Sequence, residues 1–163
     1  MAIDVYLQLD GIKGESSDMA HQGWIECSWV DWAVTQPRSA STSSSGGHSS
    51  ERCELSSLAI RKLADLSSPL LLQFCAMGKT IPHAKLEFFR ADGRGARVKY
   101  FEMELHSVLV GDVAPEVFEG SLLSEHIGLK FAKAQWRYLK QNVAGGPGVL
   151  TVGGWDASIN RPA

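Results

Sequence analysis

Five histidines, three cysteines and a scatter of serines and carboxylates are the groups in this chain with chemistry to offer. The histidines are His21, His48, His83, His106 and His126. No two stand at a metal-ligand spacing such as HxxxH, and no CxxC accompanies them, so isolated histidines and no metal site are expected. Serines are plentiful, but no GxSxG elbow surrounds one, and a triad is a geometry that composition does not supply. The pairs Gly46-Gly47 and Gly145-Gly146 lie outside any GxxxxGK[ST] or GxGxxG pattern, so no phosphate cradle and no nucleotide cofactor are expected. Glu102 and Glu104 are two apart on a strand-like run and share a face. Paired carboxylates can do acid–base work, but the expectation here is a solvated sheet face. Cys27, Cys53 and Cys75 are scattered and odd in number, which reads as reduced thiols of a protein folded in the cytoplasm. No catalytic set emerges, so the chain is read as a non-enzyme without cofactors. The five tryptophans, Trp24, Trp29, Trp32, Trp136 and Trp155, are many for 163 residues. Some must be core, and aromatics are also enriched at interfaces, which points toward assembly.

The elements that would carry these residues are mostly strands. Ile3, Val5, Leu7 and Leu9 alternate with Asp4, Tyr6 and Gln8, the pattern of a half-buried strand. Asp10-Gly11 turns the chain into a loop from Lys13 to Asp18. Trp24 to Trp32 is strand-like with bulky groups on both faces, Ile25, Cys27 and Trp29 on one and Trp24, Val30 and Trp32 on the other, so both faces should meet protein. From Gln36 to Ser50 the pattern breaks. The run SASTSSSGGHSS holds no apolar anchor except Ala40 and reads as a long flexible loop, either a disordered insertion or a segment that orders on contact with a neighbour. Leu55, Leu58 and Ile60 resume strand character.

A single helix is expected over Pro69–Met77. Ser67 or Ser68 would cap it, Pro69 suits the first helical position, and Gly78 supplies a left-handed stop. Leu70, Leu71, Phe74 and Cys75 would form its packed face. Ala84–Ala91 and Ala96–Leu109 around Asp92-Gly93-Arg94-Gly95 read as a β-hairpin. Within the second strand the apolar parity changes from Val98 and Tyr100 to Phe101, Met103 and Leu105, which predicts a bulge or a crossing between sheets. Ile127–Phe131, Ala134–Tyr138 and Val149–Val152 complete a mainly β fold, a barrel or sandwich with one short amphipathic helix at its side. The chain is read as a single domain over residues 1–163, with an extended loop at about 36–50.

The bulk properties exclude some partners. A net charge of -2 and a pI near 6.2 give no basic surplus for nucleic acid. No stretch approaches the ~20 apolar residues of a membrane helix. The opening, MAIDVYLQLDGIKGES, does not read as a signal peptide.

The ordered set of segments resembles the haemolysin-coregulated protein family, Hcp, whose members form the inner tube of the type VI secretion system. The likeness starts at MAIDVYLQLDGIKGES and continues through Ile25–Trp32. It takes in LAIRKLADLSSPLLLQFCAMGK (Leu58–Lys79), Ile81-Pro82, Ala84–Leu86, Val98–Val113, and an LxExIxLxFAxxxxxY pattern over Leu123–Tyr138. Gly145–Pro147 and Gly154-Trp155 fit the family's C-terminal end. The serine-rich run Ser39–Ser50 and Leu66 depart from its usual pattern.

The resemblance implies two packed sheets forming a β-barrel with one helix at the side, six subunits closing into a ring, and rings stacking into a tube. It implies a contractile sheath and a spike as partners, effector proteins carried in the lumen, and a protein folded in the bacterial cytoplasm and then secreted. By the same resemblance Gln36–Ser50, with Ser39, Ser43, Gly46 and His48, is a candidate ring–ring contact loop. Asp31 is a candidate lumen-facing residue. Lys13, Glu15 and Ser16 are candidate subunit contacts, the alternative being a conformationally fixed loop. The rival functional readings are a monomeric ligand-binding β-barrel, a hydrolase on an all-β scaffold, and a tube protein with a fused effector, for which the chain leaves no room after its last matched strand.

Overall fold

The computed structural model describes residues 4–37, 52–142 and 148–163. Its elements run β1 (Asp4–Leu9), β2 (Ile25–Cys27), β3 (Trp29–Asp31), β4 (Val34–Thr35), β5 (Glu54–Leu55), β6 (Leu58–Leu63), α1 (Ser68–Met77), β7 (Thr80–Ala91), β8 (Arg97–Glu116), β9 (Ser124–Lys130), β10 (Lys133–Leu139), β11 (Leu150–Asp156) and β12 (Arg161–Pro162). The mainly β chain with one helix is the fold the sequence predicts. Its two sheets are unequal: ten strands belong to one, and β4 with β5 makes the other.

The large sheet curls back on itself. From β2 its antiparallel neighbours run β1, β7, β8, β9, β6 and β3. Only Ser28 separates β2 from β3, and its N–H donates to the Arg61 carbonyl at 2.8 Å. The hydrogen-bonded circuit therefore returns to its start as a barrel wall. β10, β11 and β12 extend outward from the first part of β8.

Two irregularities shape the wall. Phe88 pairs with Phe101 but Phe89 pairs with Lys99, so Tyr100 is the extra residue of a bulge. This is the parity change expected from the sequence. A second slip lies between Val110 and Asp112. It bends β8 so that its first part faces β7 and β10 and its last part faces β9. A bulge adds one residue to one strand and increases the local twist, which helps a sheet to close.

The expected face for Trp29 is corrected. Ile25 and Cys27 are buried, but the break at Ser28 flips the parity. Trp29 and Asp31 point outward, while Val30 and Trp32 pack against the core.

The interior is filled by side chains. Leu7, Ile25, Leu58, Ile60, Leu86 and Met103 are among those with no exposure. Burial of each such side chain is worth about 1.5–3 kcal/mol. The helix contributes Leu71, fully buried, with Phe74 and Cys75 partly so. Its apolar face is narrower than expected, because Leu70 and Met77 stay exposed.

Gly78 ends the helix in the left-handed conformation, φ 61°. The expected serine cap is also corrected: Ser67 occupies the N-cap position without a side-chain cap bond. Its hydroxyl donates to Asp65 instead, and Ser68 Oγ accepts the Asp65 N–H at 3.0 Å.

Candidate functional site

One face of β7, β8 and β10 carries a lattice of charge. Alternation puts His83, Lys85 and Glu87 on the same side as Glu102, Glu104 and His106, and as Lys133, Gln135 and Arg137, because these residues are register partners. Glu102 lies at the centre. It accepts from Lys99 Nζ and from Arg137 Nη1, both at 2.6 Å, and faces Lys85 at 3.4 Å. Arg137 also donates to Glu104 Oε1 at 2.7 Å. Burial alone would raise the Glu102 pKa, but the hydrogen bonds from Lys99 and Arg137 and the surrounding positive charge outweigh it and hold the carboxyl down at about 2. The expected solvated face is thereby corrected: Glu102 is only 6% exposed.

The lattice continues into the loop after β1. His21 is buried and stacks on Tyr6, with ring centroids 4.3 Å apart. Its Nδ1 lies 2.5 Å from Asp18 and its Nε2 2.7 Å from Glu87. Both of its ring nitrogens are thus engaged by carboxylates. Arg97 closes the group by donating to Asp18 and to the Tyr6 hydroxyl.

The histidines expected to be isolated are not. Besides His21, His83 and His106 are partners across β7 and β8, and Glu104 lies beside them. The spacing of 23 in sequence hides this pair, and only the hairpin register could have revealed it. His126 lies against Trp29 with the rings tilted by 35° and their centroids 5.4 Å apart.

The loop residues proposed as subunit contacts alternate in direction. Lys13 and Glu15 are exposed, while Gly14 and Ser16 are buried. Ser16 Oγ accepts the Asp18 N–H at 3.3 Å. The backbone from Gly14 to Ser16 pairs with Gly23 and Trp24. A Cβ on Gly14 would come within 2.5 Å of the Trp24 carbonyl oxygen, so that position requires glycine. Glu15 and Ser16 line a groove that continues over Cys27, Ser28, Leu63 and Asp65. Asp31 is exposed on β3, in register with Ala59. Ser39, Ser43, Gly46 and His48 lie outside the described residues.

Large apolar side chains are exposed in several places, among them Leu70, Leu72 and Met77 on the helix and two groups at the barrel end and on the extension. At one end of the barrel Leu63, Val117, Phe118, Leu122 and Leu123 are between 42% and 73% exposed. They belong together because Ser124 pairs with both Leu63 and Glu116, and the Ala64 N–H donates to the Leu123 carbonyl. The second group is on the extension, where Val149, Leu150 and Val152 are more than half exposed. There β12 pairs with β11 only at Trp155 and Asp156.

Residues 6–138 match the family described as "Type VI secretion system effector, Hcp". The chain is 32% identical over 146 residues to Protein hcp1 of Pseudomonas aeruginosa, a match spanning 89% of this chain and 88% of that protein. Among solved structures it is similar to Hcp1 from Salmonella typhimurium, with a TM-score of 0.79 and 26% identity over the whole of both chains. It is also similar to one described as a type six secretion system protein, with a TM-score of 0.89, 25% identity, and coverage of 99% of this chain and 100% of that one.

Proposed function

The chain belongs to the Hcp family of type VI secretion system effectors, and from that premise we propose that it is a structural subunit of the secretion tube, assembling into hexameric rings that stack. The observation that carries this reading is the pair of unlike apolar patches, one at the barrel end around Phe118 and one on β11. A head-to-tail interface joins two different surfaces of the same chain, and it forms a closed ring when the rotation between copies closes. Exposed apolar groups gathered at such places mark interaction surfaces.

Ring formation buries one patch against the other, and a second contact along the axis adds rings. We assign that second contact to the serine-rich segment with Ser39, Ser43, Gly46 and His48, on sequence grounds. Lys13 and Glu15 are assigned to contacts between subunits, and the backbone pairing of this loop supports their fixed presentation; Ser16, buried with its hydroxyl turned to Asp18, fits the alternative of a conformationally fixed loop. Asp31, exposed on the barrel wall, is assigned to the lumen, where effector proteins bind. The partners of the assembled tube are a spike at its tip and a contractile sheath around it. The subunit folds in the bacterial cytoplasm and leaves through the machine. It has no catalytic role: His21 holds the fold together, and the barrel interior is packed with side chains.

Light scattering combined with electron microscopy tests the assembly. Six chains of 17.7 kDa give about 106 kDa with annular particles. A stable particle of one chain's mass at high concentration would sink the ring reading and favour the monomeric ligand-binding barrel.

A further inference from the structure

We propose that His83, Glu104 and His106 bind a divalent transition-metal ion of the zinc type on the outer face of β7 and β8. His83 and His106 are directly opposed across the two strands, with ring centroids 5.1 Å apart. Glu104 is two residues before His106 on β8, so it shares their face. Its Oε2 lies 3.8 Å from His83 Nε2. One ligand atom from each residue can be chosen so that all lie within 4.8 Å of one another. Tetrahedral zinc with bonds of about 2.0–2.1 Å places its ligands roughly 3.3 Å apart. The three side chains therefore need only small rotations to converge on one ion.

The surroundings favour that convergence. Arg137 holds Glu104 through Oε1, which leaves Oε2 facing the imidazoles. A hydrogen bond that orients a ligating carboxylate in this way is a usual second layer of a metal site. His83 and Glu104 keep 31% and 20% side-chain exposure, so an ion can enter and water can fill the fourth position. Two imidazoles with one carboxylate suit zinc better than magnesium or calcium, which prefer all-oxygen shells. The bound ion would link β7 to β8 near the end of their pairing.

The test is calorimetric titration of untagged, metal-stripped protein with Zn²⁺. The expected result is one equivalent per chain, bound at micromolar concentration or tighter. His83→Ala, His106→Ala and Glu104→Gln should each weaken binding about tenfold or more, while His126→Ala leaves it unchanged. Metal-free melting curves identify any variant that fails to fold. Lys133→Ala serves as an independent probe: it removes the cation in register with His106 and should tighten binding. No uptake by the unaltered chain, or uptake that survives His83→Ala and His106→Ala together, would overturn the proposal. So would a Lys133→Ala variant that binds zinc no more tightly.

Discussion

Glu102 and His21 show how far a polar residue's role depends on what the fold sets opposite it. Parity on β8 gave the correct face for Glu102. It could not give the partners, since Arg137 comes from another strand, 35 residues away. The same limit hid the pairing of His21 with Glu87, 66 residues on. The Glu102 pairing has a pH signature. Its carboxyl has a reference pKa of 4.5 and titrates at about 2 in the fold. Between those values the unfolded chain binds more protons than the folded one. The stability it contributes is complete above 4.5, falls with pH through that window and is gone below about 2. Glu87 and Asp18 are also held low, by burial outweighed by His21 and lysine hydrogen bonds in one case and chiefly by His21 in the other, so they act with the same sign. Urea midpoints measured against pH should therefore decline on acidification through this range. Arg137→Met raises the folded-state pKa only, so the decline should begin at the same pH, end at a higher one and be smaller in total. An acid profile identical to that of the unaltered chain would rule out Arg137 as the cause.

At the level of elements, the helix is joined to the barrel by a buried charge that alternation alone could not predict. Lys62 sits on the inward face of β6 with no exposure, where the pattern calls for an apolar residue. Its Nζ reaches Glu125 at 2.7 Å, Asp65 at 2.8 Å and Ser68 Oγ at 3.1 Å, which ties β6, β9 and the start of α1 together. Removing one member of a buried pair leaves the other charged and uncompensated, a loss of about 3–5 kcal/mol. Lys62→Met should lower the urea midpoint accordingly, and adding Glu125→Leu should restore much of it. If the double variant is no more stable than the single one, the uncompensated Glu125 is not the source of the loss. The elements themselves were largely legible. Alternation found β1, β9 and β10, and proline and glycine bracketed α1. The bulge at Tyr100 was visible because it shifts the apolar parity. The break at Ser28 was not, because Trp29 is as apolar as the buried residues before it, and aromatic character does not tell a core position from an exposed one.

For the whole molecule, the ordered likeness to a family gave the architecture, whereas no local pattern gives closure. Each closing pair, β3 with β6 and β6 with β9, joins segments far apart in the chain. Surface roles were the least legible, since an exposed residue answers to a neighbour that the single chain does not contain. Asp31 is the point at which that can be tested. In assembled rings, Asp31→Lys should reduce the retention of effector protein without changing the ring mass. Retention equal to that of the unaltered ring would place Asp31 away from the cargo. The bent strand β8 has a mechanical consequence. It is twenty residues of continuous backbone that serve the barrel wall at both ends and the extension along its first part. Load applied to the extension passes into the wall along peptide bonds, with ladders on either side resisting shear many hydrogen bonds at a time. Such a subunit is stiff along that strand, and under thrust it should yield first at Tyr100 and Gly111, where the ladders are already interrupted.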